Sequence, residues 1–216
     1  MEHLGQVHLQ TPFGSALFSI ARDTSYTTFL EVGTWKGFGT TLCIVEGLLQ
    51  RMKKENTTNI HFYSLESNKT FYNEALTNWN RIAMPFLHLC YGKLHTKGLL
   101  SKEEILAHPL FENVKTHFQL WYDQDVLDYN QAPFVDPALL PQIDVLILDG
   151  GEFSGYADWQ ALKTKKPMVV CLDDVFVMKN DAVYKELSSA KEDWTILTEN
   201  NDRHGWAIFC RKKPYE

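Results

Sequence analysis

A strand-like segment that breaks into three glycines and then continues as a helix is the feature that most restricts this sequence. Residues 28–32 favour β-structure, and Gly33, Gly37 and Gly39 follow. Apolar residues then recur with helical spacing over residues 40–54. A strand, a glycine turn and a helix in this order let the backbone approach a nucleotide-like ligand without obstruction by side chains. The segment therefore predicts an α/β fold with ligand binding at this turn.

Further segments extend the alternation of strands and helices along the chain. Runs rich in β-branched, aromatic and other apolar residues predict strands at residues 60–66, 86–92, 143–149, 168–174, 194–198 and 204–210. Helical spacing or capping residues predict helices at residues 12–22, 68–81, 101–109, 156–164 and 180–191. The last two strands are joined by so short a link that they must be antiparallel. We therefore expect a Rossmann-like α/β fold, with a seven-stranded, mostly parallel sheet, a terminal antiparallel hairpin and helices on both faces.

Acidic residues end several of the predicted strands. Glu66 ends the second strand, where a carboxylate is placed to accept both hydroxyls of a ribose. Asp149 ends the most continuous apolar strand, and Asp173 and Asp174 end the next. Packed together without a cation these three would repel one another, and a hard divalent ion such as Mg²⁺ would relieve the repulsion. Alternatively, Asp173 or Asp174 caps the following helix and Asp149 faces water.

The order of the glycines differs from that of dinucleotide-binding proteins. Those read G-x-G-x-x-G, whereas residues 31–39 read E-x-G-x-x-x-G-x-G. This order, together with the acid ending the second strand and the terminal hairpin, resembles the class I S-adenosylmethionine (SAM)-dependent methyltransferases. The resemblance implies SAM as the cofactor. The cofactor-binding residues that it implies are Glu31, Gly33, Thr34, Gly37, Gly39, Thr40, Glu66, Gly92 and Asp149.

The later acidic residues resemble one group within that family. One strand is followed by D-G-x-x, and the next ends in L-D-D. This pattern is similar to that of the metal-dependent sugar O-methyltransferases related to macrocin O-methyltransferase. The resemblance implies Asp149, Asp173 and Asp174 as ligands of Mg²⁺. Because Asp149 ends the central strand and lies closest in sequence to Glu152, we expect it to face both metal and acceptor. In that group a base, often histidine, lies shortly after the first acid, and Glu152 occupies this place. The catalytic candidates are thus Asp149 and Glu152, with His204 in the last hairpin as the next candidate base.

The least regular part of the sequence lies between the third and fourth predicted strands. Residues 114–122 alternate enough to predict a strand or extended segment, and the prolines in residues 123–141 suggest a long ordered loop. Such loops at the carboxyl edge of a sheet usually shape the acceptor pocket. We therefore expect one domain in which residues 93–141 form an acceptor-side insertion and residues 1–27 a helical cap.

Composition limits the partners of the chain. A length of 216 residues suits one domain, and a net charge of −6 argues against nucleic acid. The four cysteines form no C-x-x-C pair, which indicates reduced thiols in an intracellular protein. Neither a secretion signal nor an apolar run of membrane-spanning length is found, so we expect a cytoplasmic protein without a membrane partner. The oligomeric state is left open, a homo-oligomer included.

The first interpretation is a SAM-dependent O-methyltransferase that acts, with Mg²⁺ assistance, on a small hydroxylated acceptor. A sugar or sugar conjugate is favoured over a catechol-like phenol. One alternative is a nicotinamide-dependent oxidoreductase, but the glycine order, the terminal hairpin and the lack of a Tyr-x-x-x-Lys pair speak against it. Another is a non-catalytic SAM-binding or partner-binding domain, which binding without turnover would distinguish.

Overall fold

A seven-stranded sheet organises the chain. In this computed structural model, residues 5–80 and 84–212 are described. The strands are β1 Thr28–Val32, β2 His61–Glu66, β3 Leu87–Tyr91, β4 Val145–Leu148, β5 Val169–Asp173, β6 Trp194–Asn200 and β7 Trp206–Arg211. Their order is β3-β2-β1-β4-β5-β7-β6, and β7 is antiparallel to both of its neighbours while the other pairs are parallel. The predicted seven-stranded sheet with a terminal antiparallel hairpin is confirmed.

Helices cover both faces of this sheet. They are α1 Pro12–Ala21, α2 Thr40–Glu55, α3 Lys69–Trp79, α4 Lys102–Leu106, α5 Phe111–Val114, α6 Phe118–Gln131, α7 Gly155–Leu162 and α8 Asp181–Ser189, with 3₁₀ turns at Pro137–Leu139 and Lys163–Lys165. Buried residues of α1 and α2 pack on one face, and those of α7 and α8 on the other. Strands β4 and β5 are buried on both faces, which explains their continuous apolar sequences. The described helices include none long and apolar enough to cross a membrane.

Side-chain caps set several helix starts where the sequence predicts them. Thr11 Oγ1 accepts a hydrogen bond from the backbone N–H of Gly14 at 3.1 Å, and Pro12 begins α1. Ser101 and Glu104 form the reciprocal capping box at the start of α4. Asn68 caps α3, which ends at Trp79, whereas the predicted end at residue 81 lies outside the described residues.

The prediction for residues 114–131 is wrong. The expected extended segment at residues 114–122 and residues 123–131 of the expected loop instead form the end of α5, a turn and the long helix α6. The reason is a third apolar cluster at the carboxyl edge of the sheet. Phe118 and Tyr122 lie one helical turn apart and both pack against Phe153, with ring centroids 6.1 Å and 5.9 Å from it. This packing stabilises helix over the extended alternative.

Candidate functional site

The glycine loop after β1 lies at the point where the strand order reverses. Gly33 has φ +103°, and a Cβ there would lie 2.2 Å from the carbonyl oxygen of Asp149. Gly37 has φ +79°, and a Cβ there would lie 2.2 Å from the indole Nε1 of Trp79. Both positions therefore require glycine. A crevice outside the carboxyl ends of β1 and β4 is where open α/β sheets bind ligands.

Glu31, a buried residue of β1, anchors the glycine loop. The side chain is fully buried, and its carboxylate accepts hydrogen bonds from Thr40 Oγ1 at 2.5 Å, from Thr41 Oγ1 at 2.6 Å and from the Ser64 hydroxyl. Thr34 Oγ1 lies 2.6 Å from Ser64 Oγ and extends the network. Burial raises the pKa of Glu31 to about 7, although the three hydroxyl hydrogen bonds lower it. These contacts give Glu31, Thr34 and Thr40 the geometry of residues that hold the loop in shape.

Glu66 lies beside a cavity of about 190 Å³ at the carboxyl edge of β1, β2 and β4. Its Oε2 accepts a hydrogen bond from the Trp35 N–H and its Oε1 one from the Asn68 N–H, both at 2.7 Å. Burial raises the pKa of Glu66 to about 7, with the two N–H groups lowering it. The cavity is also lined by Gly33, Gly92, Asp149, Gly150 and Gly151. The structure thus brings the predicted Glu66, Gly33, Gly92 and Asp149 to one cavity.

Helix α6 forms a wall of this cavity that the sequence reasoning missed. Asp125, Asp128 and Tyr129 line it from this helix. Asn68 Nδ2 donates to Asp128 Oδ1 at 3.0 Å, and the Phe153 N–H donates to Asp125 Oδ2 at 3.1 Å. The signal that could have found them is the helical spacing of residues 118, 122, 125 and 129. The first two lie in the predicted extended segment and the last two in the predicted loop.

Asp149, Asp173 and Asp174 meet at the ends of β4 and β5. One carboxylate oxygen from each lies within 4.8 Å of the others. Asp174 has φ +54°, so the chain turns there and consecutive side chains reach the same place despite strand alternation. Asp149 lines both the cavity beside Glu66 and a second recess of about 270 Å³ that contains Asp173 and Asp174. Asp149 therefore lies between the cavity and the recess.

Two basic side chains already pair with these three carboxylates. Lys179 Nζ lies 2.6 Å from Asp149 Oδ1 and 3.1 Å from Asp174 Oδ2. The Arg203 guanidinium donates to Asp173 Oδ2 at 3.0 Å and to Asp174 Oδ1 at 3.2 Å. Burial would raise the pKa of Asp174, but Lys179 and Arg203 hold it below its usual range. The sequence reasoning missed both cations.

The predicted Mg²⁺ ligands are therefore close together, and two cations already offset part of the charge of the three carboxylates. The separation of their oxygens suits a hard divalent ion. The ammonium of Lys179, however, lies against two of the three carboxylates, and Arg203 pairs with the third. A further divalent charge does not fit beside Lys179 in this arrangement, because it would lie within a few ångströms of an ammonium ion.

Glu152 and His204, the two candidate bases, differ in their surroundings. Glu152 Oε1 is buried and lacks a hydrogen-bond partner among the described residues. Burial raises the pKa of Glu152 to about 8, with Lys179 acting in the opposite direction. His204 is exposed in the turn between β6 and β7. Glu152 therefore has the environment expected of a proton acceptor near neutral pH.

The same arrangement of strands is found in solved methyltransferase structures. An O-methyltransferase from Bacillus cereus in complex with SAH (S-adenosylhomocysteine) has a TM-score of 0.58 at 13% identity over 98% of this chain and 86% of that one. A methyltransferase from Geobacter sulfurreducens has a TM-score of 0.55 at 13% identity over 94% and 80%. An SAH-bound methyltransferase from Podospora anserina has a TM-score of 0.54 at 14% identity over 93% and 78%.

The chain has the methyltransferase fold. Neither the family models nor the curated proteins include a match to its sequence. Open α/β sheets bind ligands in the crevice at a strand-order reversal, and here that crevice is lined by Gly33, Glu66 and Asp149.

Proposed function

We propose that this protein is a SAM-dependent O-methyltransferase that methylates a hydroxyl group of a small acceptor. The observation that carries the proposal is the cavity at the strand-order reversal, with Glu66 on one side and Asp149 on the side of the acidic recess. The fold, and SAH in two of the similar structures, support the choice of cofactor.

Glu66 is the proposed partner of the cofactor ribose. Each of its oxygens accepts one backbone N–H and has a second lone pair available for a ribose hydroxyl. The positive φ of Gly33 brings the loop close to Asp149 and leaves the crevice without a side chain on that side. Glu31, Thr34, Gly37, Gly39 and Thr40 serve the cofactor in this proposal by fixing the loop.

The reaction is an in-line displacement in which the acceptor oxygen attacks the methyl carbon. The carbon–oxygen bond forms as the carbon–sulfur bond of the sulfonium breaks, and the hydroxyl proton must pass to a base. We assign that proton to Glu152, whose buried Oε1 has no hydrogen-bond partner in the described chain. Asp149, between the two recesses, orients the acceptor. The residues already paired with the acidic cluster, Lys179 and Arg203, do not take this proton because they are cations.

A sugar or sugar conjugate is the proposed acceptor class. Carboxylate, ammonium and guanidinium groups surround the recess beside Asp149, and such a surface suits an acceptor with several hydroxyls. We assign residues 93–141 to the acceptor side because their helix α6 lines the cavity beside Glu66, which shares Asp149 with the recess. Magnesium assistance rests on the three carboxylates and is opposed by Lys179, so no step above depends on it.

Cofactor binding is the decisive experiment. Calorimetry should show binding of SAH and no binding of NAD⁺. Glu66→Gln should weaken SAH binding roughly 10- to 100-fold, corresponding to about 1.5–3 kcal/mol for a charge-assisted hydrogen bond. Glu192→Gln, at an exposed position before β6, is the matched control and should bind like the parent protein. Binding of NAD⁺ with no heat from SAH would end the proposal.

Transfer itself is tested with labelled SAM and a panel of monosaccharides, nucleotide sugars and catechols. Label in a sugar fraction supports the acceptor class, and label in the catechols alone would move the proposal to phenols. SAH binding without any transfer over a wide panel would favour the non-catalytic SAM-binding domain.

A further inference from the structure

Lys179 supplies a cation that pairs with the acidic residues of the recess. Lys179 Nζ contacts Asp149 at 2.6 Å and Asp174 at 3.1 Å, and its side chain is only 9% exposed. The Lys179 side chain therefore forms ion pairs with two carboxylates that lie at the ends of neighbouring strands.

The backbone holds Lys179 in this place. The next residue, Asn180, is buried, and its Nδ2 donates to the carbonyl of Leu148 at 3.0 Å and to that of Asp173 at 2.7 Å. Asn180 thus links the end of β4 to the end of β5 and fixes the lysine between their acids. Gly155 packs so closely that a Cβ there would lie 1.9 Å from the Lys179 carbonyl oxygen. This packing fixes the backbone from which the lysine side chain projects.

A divalent ion and this ammonium compete for the same oxygens. Mg²⁺ requires oxygens at about 2.0–2.1 Å, and the ammonium lies within hydrogen-bond distance of two of the three carboxylates that would supply them. Displacing the ammonium would leave a buried positive charge without its partners, which is strongly unfavourable. Arg203, from the hairpin turn, pairs with the remaining carboxylate, Asp173, and also with Asp174.

We propose that the ammonium of Lys179 takes the place of a divalent cation among Asp149, Asp173 and Asp174, so that the acceptor is positioned without a metal. This rests on the proposed function. An ammonium has three N–H donors, and two are used by Asp149 and Asp174. Lys179 also lines the recess, where the third donor is available to an acceptor oxygen. The lysine is thus a positioning cation for the acceptor.

The test measures metal binding and needs no turnover. Mn²⁺, a paramagnetic substitute for Mg²⁺, is titrated into the SAH complex of the full chain and followed by electron paramagnetic resonance. The parent protein should have no Mn²⁺ site that depends on Asp174, so Asp174→Asn should leave its Mn²⁺ titration unchanged. Lys179→Met should create a site about tenfold or more tighter than any in the parent, and Asp174→Asn in that background should abolish it. Lys185→Met, which removes an exposed lysine from α8, should create none.

The outcomes separate this inference from the proposed function. Stoichiometric Mn²⁺ binding by the parent protein, lost in Asp174→Asn, would overturn it, as would a folded Lys179→Met variant that gains no site. If Lys179→Met does not fold, the comparison of the parent with Asp174→Asn still decides. Failure of SAH to bind would instead count against the proposed function and would leave the metal titration of the free chain interpretable.

Discussion

Burial controls the acid–base chemistry of individual carboxyl groups around the candidate site. It raises the pKa of Glu66 to about 7, of Asp125 to about 6 and of Glu152 to about 8. Glu66 and Asp125 also accept backbone N–H groups, which favour their charged forms. Glu152 Oε1 accepts none from the described residues, so it is the carboxyl best suited to take up a proton.

The pH dependence of turnover tests Glu152. If this carboxylate accepts the acceptor proton, kcat should rise with pH through about 8, because only the deprotonated form is a base. Glu152→Gln should lower kcat by roughly 10²- to 10⁴-fold and remove the acid limb of the profile. An unchanged profile would exclude Glu152 and make His204 the next candidate. The control, Glu192→Gln, should keep both kcat and its pH profile.

Single residues were predicted best where chemistry follows directly from a strand end. Glu66, Asp149, Asp173 and Asp174 meet at one edge as expected, because parallel strands deliver their carboxyl ends to the same side. The role of Lys179 was not predictable, since its pairing depends on how the β5–α8 connection folds back over β4. The same is true of Arg203, which reaches the cluster from a distant hairpin.

Among the elements, α6 connects the acceptor-side segment to the cofactor cavity. Its apolar side packs on Phe153, while Asp125 and Asp128 line the cavity. Because α6 both packs on Phe153 and carries these acids, the packing of its apolar side sets the position of Asp125 and Asp128. The sequence predicted the strands well, since their apolar runs are continuous. The sequence did not predict α6. The spacing of its aromatic residues is compatible with a helix or a strand, and packing against Phe153 favours the helix.

Removing Phe118 should loosen α6 selectively. Phe118→Ala deletes a large buried side chain that contacts Phe111, Tyr122 and Phe153, at a cost of about 3–5 kcal/mol for truncation of a core aromatic. We expect faster hydrogen exchange of α6 amides and weaker SAH binding. Leu120→Ala on the same helix removes a side chain that is 70% exposed and should leave exchange and binding unchanged. Equal effects of the two variants would contradict the proposed coupling.

At the scale of the whole molecule, several buried carboxyl groups make stability depend on pH. Glu31, Glu66 and Glu152 have folded pKa values of about 7, 7 and 8, all above the ordinary value of 4.5. The folded chain therefore holds protons that the unfolded chain releases. The stability from each group is fully present below about pH 4.5 and is lost as pH rises through its folded pKa.

Urea unfolding should reveal this dependence. Between pH 5 and pH 8 the free energy of unfolding should fall, each group contributing on the order of 1–3 kcal/mol. Glu152→Gln should make the decline less steep, because one titrating group is removed, whereas Glu192→Gln should not. If the free energy of unfolding instead rises over this interval, the folded chain stabilises the ionised forms of these carboxyl groups more than the protonated forms.

The place of β7 between β5 and β6 has a consequence for the order of assembly. Strand β6 is made before β7, yet among the described strands it pairs with β7 alone, so β6 joins the sheet only after β7 has been made. Arg203 lies in the turn between them and reaches Asp173 and Asp174 only once the hairpin is in place. The two acids at the end of β5 therefore gain this partner only after β7 has paired with β5. The site where methyl transfer is proposed is complete only when the hairpin has joined the sheet.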